Sequence, residues 1–184
     1  MPVTVAAYLR ACEASDCEQG EKNFSTMRGV FIVHSLSQAK AAVSAAAAHN
    51  SAVTLLSGPG AAAYAGAGWF AAVIRMAQES QADAAVVGIL DCGSRADLVQ
   101  AAFRQGLTQV VFRGDARLLR PLRDIARQQG GTILRRRPAA CDLRHAADPE
   151  AACRAWLVRS AHLKKRRPSA IQSPAARGKK KRGR

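Results

Sequence analysis

From residue 29 onward the chain repeats one unit, a short apolar run followed by a longer Ala-rich stretch, and this rhythm narrows the folds open to it. The apolar runs fall at residues 29–33, 52–56, 84–90, 109–112 and 132–134. The third, AAVVGIL, has no polar alternation, the pattern of a strand covered on both faces. The stretches between them carry helix punctuation. Ser35 and Gln38 have capping-box spacing, and Asn50 follows the Ala-rich segment as a C-terminal stop. Ser94 and Asp115 stand where two further helices would start, with Gly106 and Gly130 as stops. Pro121 lies inside the second of these and predicts a kink or a separate first turn. Asp148-Pro149-Glu150 opens a last helix with proline at its first position.

Strands alternating with helices at this spacing predict βαβ units and a mainly parallel sheet. The expected architecture is α/β, a flavodoxin-like doubly wound domain. It would have five strands in the order 2-1-3-4-5 and helices on both faces. A fragment of a β/α barrel would show the same periodicity and is the alternative. The domain is expected over residues 27–163. Residues 1–26 read as a short helix and linker, with Met27 as an alternative start, and residues 164–184 as a disordered tail. Apolar residues make up 48% of the chain but aromatics only 5%, so the core must rely on closely packed Ala-rich helices against Val, Ile and Leu.

Five cysteines (Cys12, Cys17, Cys92, Cys141 and Cys153) form no evenly spaced framework, and the N-terminus has no basic, then apolar, secretory pattern. Free thiols in the cytoplasm follow from that. Residues 51–74 lack charge, but Gly58, Pro59 and Gly60 interrupt them and Ala and Gly dominate, so no membrane span is expected.

In open α/β sheets ligands bind beyond the carboxyl ends of the strands, where the strand order reverses. Those ends carry His34, Ser57-Gly58-Pro59-Gly60, Asp91-Cys92-Gly93 and Arg113. With strands one and three adjacent, His34 would face Asp91 and Cys92, and a thiol beside a His and a helix start can become a nucleophile. Against this, small polar residues gather at strand ends because turns and caps need them. Ser57, Gly58, Gly60, Gly93 and Ser94 form candidate loops for a small anion. The dinucleotide fingerprint fails: the Gly-rich loop follows the second strand, Pro59 removes a useful N–H, and no acid sits at the required distance. A P-loop motif is absent, and the cysteines lack metal-ligand spacing. No cofactor and no metal is expected.

The tail supplies ten Lys or Arg and no acid over residues 161–184, two thirds of the formal charge of +15. Lys164, Lys165, Arg166 and Arg167 form one cluster; Lys179, Lys180, Lys181 and Arg182 form the other. Such clusters attract polyanions through counterion release, and with no aromatic to stack bases they would do so without reading sequence. The expected function is therefore a non-catalytic accessory protein held on nucleic acid or another polyanion by its tail. The alternative is a small enzyme or ligand sensor using His34, Asp91 and Cys92 at the strand ends. Oligomeric state is not legible.

Overall fold

All five apolar runs form strands in the computed structural model, which describes residues 29–165. The expected N-terminal helix and linker, and the cationic residues Arg166, Arg167, Lys179, Lys180, Lys181 and Arg182, lie outside the described residues. In chain order the elements are β1 (Val30–Val33), α1 (Leu36–Ala48), β2 (Val53–Ser57), the single turn α2 (Ala61–Tyr64), α3 (Ala67–Glu79), β3 (Val86–Asp91), α4 (Ala96–Arg104), β4 (Gln109–Val111), α5 (Ala116–Gln128), β5 (Thr132–Leu134), β6 (Cys141–Asp142) and α6 (Pro149–Lys165). The last helix runs two residues into the first cationic cluster, through Lys164 and Lys165.

Local chemistry accounts for most boundaries. Ser35 is extended and its Oγ accepts from the Gln38 N–H at 3.3 Å, while Gln38 Oε1 accepts from the His34 N–H at 2.8 Å. Asp115 caps α5 by accepting from the Arg117 N–H at 2.8 Å. Asn50 takes a left-handed φ of 51° just beyond α1, the conformation that ends many helices. Two expectations fail here. Ser94 is not the cap of α4: Arg95 occupies that position with no side-chain cap and instead pairs with Asp97. Pro121 does not split α5, which is a single helix from Ala116 to Gln128.

The sheet has six strands, all parallel, in the order β5-β4-β3-β2-β1-β6. This corrects the flavodoxin-like expectation. The first five strands are laid down consecutively, with no reversal among them, and β2 separates β1 from β3. Parallel crossovers share one hand, so consecutive strands put their helices on one face. The core shows this directly. Phe31, Val33, Leu55, Leu90 and Val110 pack with buried residues of α1, α3, α4, α5 and α6. The opposite face holds Val30, Leu56, Ile89, Val111 and Leu134, against which Ile32 and Ala140 pack, with no helical residue among them. Helices on both faces were expected because each strand is apolar on both sides. The second side is instead a strand-only layer, crossed at one end by residues 135–140, which link β5 to β6.

The sheet's C-terminal loops meet closely. A Cβ at Gly114, after β4, would stand 2.7 Å from the Ser94 carbonyl oxygen and against the buried Phe112 ring. Gly114→Ala must shift backbone and is expected to cost about 1–3 kcal/mol, read as a lower urea midpoint at unchanged slope.

Candidate active site at the strand ends

Asp91 ends β3 with its side chain fully buried, and its carboxylate is surrounded by donors. Arg137, reaching in from residues 135–140, donates Nη1 to Asp91 Oδ2 and Nη2 to the Ser57 carbonyl at 2.8 Å. The Gly93 N–H reaches Asp91 Oδ1 at 2.8 Å, and Arg113 Nη2 lies 3.3 Å from Oδ2. The Asp91 N–H in turn donates to Ser57 Oγ at 2.9 Å. Burial alone would raise this carboxyl's pKa. The Arg137 hydrogen bond, the Gly93 N–H, the charge of Arg137 and the Gly60 N–H outweigh it and hold the group below its ordinary value. Of the loop residues expected to cradle an external anion, Gly60 and Gly93 thus turn their N–H groups to a carboxylate of the chain itself, while Ser57 Oγ accepts from the Asp91 backbone and donates to the Gly58 carbonyl. Ser94 stays exposed and takes no part.

Two strands away, His34 Nε2 lies 2.8 Å from Asp142 Oδ1. Asp142 belongs to the two-residue strand β6, brought beside β1 by the pairing of Ile32 with Asp142. Burial would raise its pKa, but the Arg144 N–H and the His34 ring lower it overall, so it is an acceptor. His34 Nε2 is then the donor of this bond, and Nδ1 faces Gly58. Gln38 fixes this geometry, binding the His34 N–H with its oxygen and the Leu143 carbonyl with its nitrogen at 2.9 Å.

The ladder registers continue to a row of His34, Gly58 and Asp91 on neighbouring strands. Gly58 puts no side chain in the middle of that row, and the Tyr64 hydroxyl and the His34 ring close over it. A Cβ there would be 3.4 Å from His34 Nδ1 and 2.7 Å from the Tyr64 hydroxyl. His34 and Asp91 therefore share one edge of the sheet without touching, and each is paired elsewhere.

Cys92 does not join them. It lies with the helix-side core at 2% exposure, and its thiol is pushed up to about 12 by burial and by the charges of Asp91 and Asp97. It lacks the thiolate that a nucleophile needs. Two residues that complete the site, Arg137 and Asp142, were not among the expected ones. An Arg-Arg-Arg run reads as solvated surface, and a two-residue strand has no periodic pattern to reveal it.

Comparison with known proteins decides what kind of chain this is. A profile of the class-II fructose-bisphosphate aldolase family matches residues 21–117, a little over half of the sequence and all of β1 through β4. The chain belongs to the class-II fructose-bisphosphate aldolase family. No curated protein matches it. Membership in an enzyme family overturns the expectation of a non-catalytic accessory protein held on nucleic acid. The tail's charge reported on the tail alone and carried no information about the domain. The consecutive parallel strands fit the barrel-fragment alternative better than the flavodoxin-like one.

Class-II aldolase chemistry implies a divalent metal ion that polarises a carbonyl. The strand ends do not fit one. Among the described residues no three His, Cys, Asp or Glu side chains cluster as ligands. The buried carboxylate is already neutralised by guanidinium groups, and Cys92 faces the other side of the sheet.

Two outcomes follow from this geometry. Asp91→Ala strands Arg137 and is expected to cost about 3–5 kcal/mol, measured by denaturant unfolding. Because the folded-state pKa of Asp91 is depressed, its contribution is present above the unfolded value, roughly 3.9, and is lost as pH falls through the folded one. In Asp91→Asn that acid-side loss should shrink. Native protein treated with a mild alkylating agent at neutral pH should keep Cys92 unmodified, and the thiol should react once the chain is unfolded.

Proposed function

We propose that this chain is an aldolase-type enzyme acting on a small phosphorylated carbonyl compound beyond the C-terminal ends of β1, β2 and β3. The observation that carries the reading is the aldolase-family match over the strands whose ends present His34, Gly58 and Asp91. The His34–Asp142 pair supports it, since a carboxylate that holds one ring nitrogen leaves the other as an oriented base. Charge supports it as well. Arg113 and Arg137 flank the Asp91 carboxylate and Arg135 donates to the Gly114 carbonyl after β4, so this rim carries more positive than negative charge and favours an anionic substrate. Arg113 is 46% exposed and turns much of its guanidinium outward, as a phosphate ligand would require.

In aldol cleavage the proton of the hydroxyl β to the carbonyl moves to His34 Nδ1. The carbon–carbon pair then becomes the double bond of an enolate, and the carbonyl electrons move onto oxygen. An aldehyde leaves, and the enolate carbon takes the proton back from Nδ1 to give a ketone. The family's name makes fructose 1,6-bisphosphate the substrate to try first.

The test is release of triose phosphate from that substrate by the full chain, followed with a coupled dehydrogenase. His34→Ala should lower kcat by about 10²–10⁴-fold, the usual worth of a positioned general base. Asp142→Asn should give a smaller loss at nearly unchanged KM. A wild-type chain that is folded and turns over nothing would remove the reading.

A further inference from the structure

At the other end of the sheet, where β2 and β3 begin, lies a cavity of about 80 Å³. Asn50 and Ser51 after α1, and Gln81 and Asp83 after α3, form its polar rim, and alanines line the rest. Asn50, Gln81 and Asp83 are exposed, so the cavity is reached from solvent. Its electrostatics are one-sided. Asp83 is the one charged residue in the lining, and among the described residues no cation pairs with it. Two helices also end here, α1 and α3, and neither has a basic residue in its last turn. By contrast α4 and α5 carry Arg104 and Arg127 in theirs. The negative ends of two helix dipoles are therefore left uncompensated beside one carboxylate. A water molecule's share of the liquid is about 30 Å³, so this volume holds a side-chain cation and little more.

The chain's own cations leave the fold at this end. A Cβ on Gly29, at the start of β1, would stand 3.0 Å from the carbonyl oxygen of Ala52 in the cavity wall and 3.3 Å from Leu157 of α6. From Leu157 the helix runs on to Lys165, about 12 Å at 1.5 Å per residue. Residues 166–184 follow, with eight Lys or Arg and no acid, and reach about 60 Å when extended. We propose that the cavity seats a lysine of the chain's own C-terminal cluster, Lys179, Lys180 or Lys181, its ammonium donating to the Asp83 carboxylate. Lys164 and Lys165 are held within α6, so the later cluster is the one with chain enough to turn back. An exposed ion pair is weak between separate molecules. Here one chain carries both partners, which sets an effective concentration in the millimolar range, and adjacent cations offer the same carboxylate several chances. The seat lies at the opposite end of the strands from His34 and Asp91 and is independent of the reaction there.

The test is zero-length carbodiimide coupling of the full chain, which joins a carboxylate to an amine only where the two touch, with the products read by peptide mass spectrometry. Asp83 should be found joined to Lys179, Lys180 or Lys181 in monomeric protein, well above the exposed Asp115 and Asp148. The yield should fall about tenfold between 0.1 and 1 M NaCl, as the screening length drops from about 10 to about 3 Å. Amide signals supply a second readout that needs no coupling. Replacing the cluster (Lys179→Ala/Lys180→Ala/Lys181→Ala/Arg182→Ala) should move the signals of Asn50 and Ala84 and leave that of Gly93 in place. With Asp83→Asn in both chains that difference should vanish. Butylammonium, a lysine side chain without its backbone, should bind the cavity of the four-alanine variant more tightly than that of the full chain. Coupling spread evenly over Asp83, Asp115 and Asp148 would overturn the proposal. So would coupling confined to dimers, which would give the seat to a second copy's tail. Equal butylammonium binding by the two chains would also overturn it and assign the cavity to an external amine.

Discussion

The ion pair between Asp91 and Arg137 is the contact through which the strand ends are organised. It joins the end of β3 to residues 135–140 and, through the second Arg137 nitrogen, to the last carbonyl of β2. A buried carboxylate persists only if its lone pairs are matched, and here two guanidinium groups and the Gly93 N–H match them. The consequence reaches past β3. With Arg137 anchored, the segment after β5 crosses the strand-only face of the sheet, Ala140 packs on that face, and β6 arrives beside β1. Asp142 is thereby delivered to His34. Arg137 and Asp142 stand five positions apart in the sequence, so the first polar pair positions the second.

Much of the architecture was legible because its signals are local. Apolar runs with stops between them mark strands, and the Ser35 and Gln38 cap declares itself by spacing alone. Strand order was not legible. The sequences of a doubly wound sheet and of a consecutive, barrel-like one have the same periodicity, since both alternate strand with helix. The difference lies in whether successive helices change sides, and strands such as β2, buried along its whole length, do not encode that. Site residues followed the same division. His34 and Asp91 were legible as strand-end residues, and they lie at the ends of β1 and β3. Their partners were missed because each comes from far along the chain, and neither sits in a periodic element.

Small residues and free N–H groups after a strand suit an anion, and the N–H groups of Gly60 and Gly93 meet one within the fold, the Asp91 carboxylate. With that carboxylate matched by guanidinium and N–H donors, the described residues at this end of the sheet do not gather the ligands of a divalent cation. Arg113, by contrast, turns part of its guanidinium outward.

The pairing of β6 with β1 has a kinetic meaning. The neighbours β1 to β5 are each joined through one intervening crossover, but His34 and Asp142 are 108 residues apart in sequence. Closing so long a loop is entropically unfavourable until the intervening strands have already drawn its ends together. The five-strand sheet should therefore assemble first, with β6 docking onto it late. A chain emerging from synthesis would hold a nearly complete sheet while its histidine still lacked the carboxylate that orients it. The His34–Asp142 contact would then form as one of the last events of folding, and a partly folded chain would carry the shape of the domain without it.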